Sequence, residues 1–146
     1  MEINHRIFRA SGANGNTLAV RGVSPQAVAK LANSINLTGL RNLGNISARR
    51  RWLPVSKQDF DGYLYDHGAA YVKTIDAGPS TDDYYILVLD IFDGNHRFHA
   101  TSQLIANGTR SASDTYFQTA VYDERLPDVV AELTGRLLNE YVRFLV

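Results

Sequence analysis

No cysteine occurs among the 146 residues, which excludes disulfide staples, cysteine-ligated zinc, iron–sulfur clusters and a thiol nucleophile together. Long apolar runs are missing too. No stretch is long enough to span a bilayer, and Met1 to Ala10 places His5, Arg6 and Arg9 among short apolar residues, so no signal peptide is expected. Lysine is scarce beside arginine, which supplies most of the 15 basic residues. Planar guanidiniums favour bidentate contacts to phosphate or carboxylate, although compositional bias accounts for the same excess. Acidic residues are nearly absent from the first 58 positions, where Glu2 alone opposes nine Lys/Arg; the remainder carries fourteen carboxylates against six, so net charges of +8 and −8 sum to the whole-chain zero. A basic half suits an anionic partner, and the acidic half can pair with it within one subunit or between subunits.

What is present is enough for a core. At 146 residues and 45% hydrophobic, the chain has the size of one ordinary domain, expected to run over residues 1–146, and needs no disulfide or structural metal. A cytoplasmic location is expected.

Ile3 to Arg9 reads as a strand, Ser11 to Asn16 as a loop and Thr17 to Val20 as a second strand, together a hairpin. Ser24-Pro25 starts a helix whose face is Val28, Leu31 and Ile35, closed by Gly39. Leu40 to Ile46 shows no clean period. From Arg51 the spelling turns to strands: Trp52 to Val55, Gly62 to Tyr65, Ala70 to Ile75, and Tyr84 to Phe92, the last so continuously apolar that both its faces should be covered. Asp61-Gly62, Asp66-His67-Gly68 and Asp76 to Ser80 read as turns, and Tyr116 to Tyr122 as a further strand. A final helix begins near Pro127, with Leu126, Val130, Leu133, Leu137, Tyr141 and Phe144 at three- and four-residue spacing. Gly135 inside it costs about 1 kcal/mol against alanine, and is either tolerated, the preferred view, or required by a close neighbour. The expected fold is α+β: an antiparallel sheet of about five to seven strands, one helix from the N-terminal half, and a C-terminal helix packed on one face.

Asp93-Gly94-Asn95-His96-Arg97-Phe98-His99-Ala100 follows the most hydrophobic strand and admits two structures. Asp93-Gly94 can turn a hairpin, with His96 to Ala106 as the outgoing strand. Alternatively Gly94 makes a tight turn and His96 to Asn107 is a helix whose amino end receives phosphate. The second alternative resembles the ParB N-terminal and sulfiredoxin-like superfamily, whose phosphate motif reads Asp/Gly-Gly-x-His/Arg-Arg, an aromatic or Leu, any residue, then Ala. Leu31 to Ile35 followed by Gly39-Leu40 also looks like that family's early helix. About a fifth of the chain is covered, and some fifty residues separate the two segments where the family has a short strand pair. The resemblance implies that Gly94, His96 and Arg97 contact nucleotide or nucleic-acid phosphate, with Asp93 shaping the turn.

Arg49-Arg50-Arg51-Trp52 is the densest cationic cluster and has an aromatic beside it, suited to holding phosphate and stacking on a base. Strand alternation sets Arg49 and Arg51 on one side and Arg50 and Trp52 on the other, and a charged edge strand accounts for the cluster equally well. With four histidines, neither a metal centre nor a proton relay is expected; Asp59-x-Asp61-Gly62 lacks the later ligands of a calcium loop; His99-Ala100-Thr101 is half of a two-histidine phosphoesterase signature without its mate. Tyrosines from residue 63 onward suit either a protein-contacting surface or half-buried strands.

The expected function is therefore capture of an anionic, nucleotide-like or nucleic-acid ligand without catalysis and without a cofactor, through Arg49, Arg50, Arg51 and Trp52, with Gly94, His96 and Arg97 as further ligand-binding residues. The alternatives are a ParB- or sulfiredoxin-like phosphate-handling enzyme, and an inhibitor or immunity-type protein docking on a charged protein surface. No membrane partner is expected, and the segregated charge with the apolar C-terminus favours a homo-oligomer.

Overall fold

The structure is a computed structural model that describes residues 1–12, 15–18, 24–39, 45–76 and 82–145. Among these the chain forms six strands and four α-helices: β1 (Glu2–Asn4), β2 (Phe8–Arg9), α1 (Pro25–Thr38), β3 (Ile46–Val55), α2 (Lys57–His67), β4 (Val72–Asp76), β5 (Asp82–Asp93), α3 (Asn95–Ala106), β6 (Tyr116–Tyr122) and α4 (Asp128–Leu145). The α+β class, the strand number and the first and last helices are as the sequence leads one to expect. None of the described helices is long and apolar enough to cross a membrane.

The chain divides into two compact units, Met1–Arg49 with Leu89–Val146, and Arg50–Val88. In the larger unit the strand order is β1-β6-β3-β5-β2. Its sheet is mixed where an antiparallel one was expected. β1 runs antiparallel to β6, but β2 is parallel to β5 (Phe8 beside Leu89, Arg9 beside Asp90), and β3 is parallel to β6 (Ile46 beside Thr119, Arg49 beside Tyr122). Parallel neighbours need long crossovers, and intervening helical segments supply them. Among the described residues the expected N-terminal hairpin does not form: a 3-10 turn over His5–Ile7 redirects the chain between β1 and β2, and Thr17 and Leu18 are not strand, while Ala19 and Val20 lie outside the described residues.

α1 has the predicted ends. The Ser24 hydroxyl accepts from the Ala27 amide, Pro25 takes the first position, and Gly39, at φ +82°, donates its amide to the Ile35 carbonyl. Its buried Val28, Ala32 and Ile35 pack with Ala100 and Leu104 of α3. α4 lies on the sheet through Ala131 and Gly135, leaving Val129, Val130, Leu133 and Leu137 exposed.

In the smaller unit β4 and the first half of β5 pair antiparallel, Val72 beside Ile86 and Lys73 beside Tyr85. Gly62 to Tyr65, expected as a strand after an Asp61-Gly62 turn, lies inside α2. The Ser56 hydroxyl accepts from the Asp59 amide to start that helix, and Phe60, Tyr63, Leu64 and His67 recur at helical spacing.

Candidate functional site

β5 ends at Asp93, Gly94 follows at φ +94°, ψ +18°, and α3 starts at Asn95. The motif is therefore a strand–turn–helix and the hairpin alternative is overturned. An Asp-Gly pair serves both structures; here the apolar face of Phe98, Thr101 and Leu104 is buried with α3 helical. Glycine is required at 94 for two reasons. Its backbone is left-handed, and a Cβ would stand 3.0 Å from Ile46 Cγ1 and 3.4 Å from Arg97 Nη1. Having no side chain, this N-cap offers no acceptor to the first-turn amides, whose partial positive charge faces outward along the helix axis.

The Arg97 guanidinium folds back over this turn and donates through Nη1 to the Asn45 carbonyl, just before β3. Asp93 is near enough to feel its charge. Burial pushes the Asp93 carboxyl above its ordinary value, against the opposing pull of Arg97 and the Gly94 amide. His96 is engaged structurally: its Nε2 accepts from the Ser24 amide at 3.0 Å, which joins the start of α1 to the start of α3.

A second loop meets the turn, and nothing in the motif announced it. The Ser11 amide donates to Asn95 Oδ1 at 3.0 Å and the Ser11 hydroxyl to the Ile91 carbonyl at 2.6 Å. Asn16 donates to the carbonyls of Arg9 and Ile91. Beneath this loop Arg9 holds Asp90 bidentately, Nε to Oδ1 at 2.6 Å and Nη2 to Oδ2 at 2.8 Å. The only sequence signal was the Gly/Asn-rich spelling of residues 11–16, which reads as any turn.

The structure brings Gly94, His96 and Arg97 together. It separates Arg49 from any exposed cluster: Arg49 is 2% exposed, and its Nη1 donates to the Leu126 carbonyl at 2.8 Å and to Asp128 Oδ1 at 2.6 Å, tying β3 to the start of α4. Its Nε and Nη2 are buried and have no hydrogen-bond partner among the described residues. Arg50 and Arg51 are exposed and Trp52 is half-buried, all in the smaller unit. His99 lines a groove of about 350 Å³ with Pro25, Val28, Ser102, Gln103 and Ala106, whereas Thr101 is fully buried and bonds to the Arg97 carbonyl, so the His-x-Thr pair does not share a cleft. Among the described residues no three His, Asp or Glu side chains gather as a metal site requires.

No family model matches the sequence, and no curated protein matches it. Among solved structures, the chain is similar to the C-terminally truncated chromosome-partitioning protein ParB from Caulobacter crescentus, complexed with CTP-gamma-S, with a TM-score of 0.52 and 16% identity. The match covers 95% of this chain and 51% of that one, so this chain spans about half the length of its structural relative. At that identity the likeness is one of fold, and the fold of this chain is ParB-like.

Proposed function

We propose that the amino end of α3 binds the phosphate of a nucleotide-like ligand, and that the protein captures this ligand without turning it over. The observation that carries this is the convergence at one point of an N-cap without a side chain and the folded-back Arg97 guanidinium. Backbone amides and a guanidinium are the two donor types that phosphate oxygens accept best. The fold shared with a protein complexed with CTP-gamma-S supports the same reading. Gly94 and Arg97 are the contacts; His96 is a positioning residue, because its Nε2 holds Ser24.

Thermal unfolding against a panel of ribonucleotides tests this. A ligand at a hundred times its Kd stabilises by about 2.7 kcal/mol, a shift of roughly 5–10 °C for a chain of this size. Arg97→Ala should weaken binding roughly 10- to 100-fold, the worth of a charged hydrogen bond, with the circular dichroism spectrum unchanged. Phosphate release that falls in Arg97→Ala would replace capture by the enzyme alternative. No shift with any nucleotide would abandon both and leave the protein-docking alternative.

Asp93 gives the site a pH dependence. Its folded pKa lies above the unfolded one, so its contribution to stability is present below the ordinary carboxylate range and is lost as pH rises through the raised value. Ionised, it also repels an arriving anion. Sulfate, whose charge is constant over this range, should bind more tightly as pH falls through the raised pKa. In Asp93→Asn that dependence should flatten and neutral-pH affinity rise; an unchanged pH profile in the variant refutes this role for Asp93.

A further inference from the structure

The smaller unit has a face that the α3 site does not use. α2 lies against one side of its sheet, with Phe60 on Tyr84 at 5.1 Å between ring centroids and the Tyr63 hydroxyl donating to the Leu87 carbonyl. The register pairs Thr74 with Tyr84 and Lys73 with Tyr85, so alternation turns Lys73 and Tyr85 to the side away from Tyr84. There the Lys73 ammonium stands 4.5 Å from the centroid of the Trp52 ring and 5.6 Å from that of Tyr85. Arg50, exposed, is two residues before Trp52 and on the same side of β3. The carboxylates Asp59, Asp61 and Asp66 belong to α2, on the other side. Asp83, opposite Ile75, bounds the cationic area at one end.

We infer that this face binds single-stranded nucleic acid, with bases stacking on Trp52 and Tyr85 and with Lys73 and Arg50 taking the phosphates. Two rings contributed by neighbouring strands make successive platforms, and every base offers a π-face to them. A duplex hides those faces, so the ligand is a single strand. A mononucleotide would use one ring and one cation and leave the others idle. In the free protein the ammonium rests over the two rings; its flexible four-carbon stem lets it swing to a phosphate when a base takes its place. Charge complementarity commits the face to a polyanion, and the half-buried rings select one that stacks.

Trp52 is the sole tryptophan, so the intrinsic fluorescence of the full chain reports on this face directly. Titration with a thymidylate 12-mer should quench it saturably, whereas dTMP at equal phosphate concentration and a 12-base-pair duplex should not. Two phosphate contacts predict a log–log salt slope of about −1.4. Tyr85→Leu and Lys73→Gln, each with unchanged far-ultraviolet circular dichroism, should each weaken the oligonucleotide about 10-fold, while Arg97→Ala should leave it unchanged. The inference is overturned by absence of quenching, by equal quenching with polyglutamate (attraction without stacking), or by affinity that survives Tyr85→Leu and Lys73→Gln. Loss of oligonucleotide binding in Arg97→Ala alone would move the ligand to α3 and overturn it as well. Neither variant removes Trp52, so the readout persists in both.

Discussion

Replacing Asp90 by alanine is expected to lower the unfolding free energy by about 3–5 kcal/mol, because it leaves a buried guanidinium without its counter-charge. Asp90 is 1% exposed and Arg9 accordingly has little water to fall back on. The parallel register of β2 on β5 sets the two residues side by side, so their geometry is built into the sheet. For a chain of this length the loss corresponds to roughly 10 °C or more in melting temperature. The double variant Arg9→Met/Asp90→Leu, which removes both charges, should recover most of it, since a buried pair contributes far less than one half of it costs when orphaned. Calorimetry of the wild type, Arg9→Met, Asp90→Leu and the double variant makes the cycle, with Asp90→Ala measured beside it. A double variant as unstable as Asp90→Ala would mean that packing, and not charge, is what the pair provides. The pair also lies against Gly15: a Cβ there would come within 2.8 Å of Arg9 Nη1. Nucleotide binding at α3 should therefore fall together with stability in the single variants.

Gly135→Ala is expected to destabilise by about 1–3 kcal/mol, against the gain of about 1 kcal/mol that alanine offers inside a helix. A Cβ at 135 would meet the Phe92 carbonyl oxygen more closely than side chains approach a backbone atom, and relief requires α4 to lift from β5. Phe92 immediately precedes Asp93 and Gly94, so the displacement reaches the turn that starts α3. Gly62→Ala in α2 is the matched control. None of the described residues lies within 4 Å of a Cβ there, and the substitution should stabilise by up to about 1 kcal/mol. If thermal scans show both alanine variants stabilised, α4 does not need its close approach. Simple tolerance of Gly135, the preferred expectation from the sequence, is set aside by this geometry.

Local signals were legible where one residue type has one use. Ser24-Pro25 and Gly39 bounded α1, and continuous apolar spelling marked Tyr84 to Phe92 within β5. Tyr116 to Tyr122 is the strand expected. Local signals failed where a spelling has two uses. Asp-Gly is a hairpin turn and also a left-handed N-cap, and aromatic residues around Gly62 suit a strand until their three- and four-residue spacing is weighed against the glycine. The site followed the same division. Gly94, His96 and Arg97 came from a short motif, but Asn95, Ser11, Asn16 and the Arg9–Asp90 pair are joined only through space, across some eighty residues of sequence.

By itself the sequence determined the composition of the core, the ends of the capped helices and the segregation of charge, because caps, periodicity and net charge are properties of neighbours along the chain. Only the tertiary structure decided where those charges go. Arg9 pairs with Asp90 and Arg49 with Asp128, so part of the opposition between the basic and acidic halves is neutralised within the subunit. It decided as well that Arg49 is an internal tie and that Arg97 stands at a helix end. Burial fixes whether a guanidinium meets solvent, a ligand or a carboxylate, and burial is set by which strands pair.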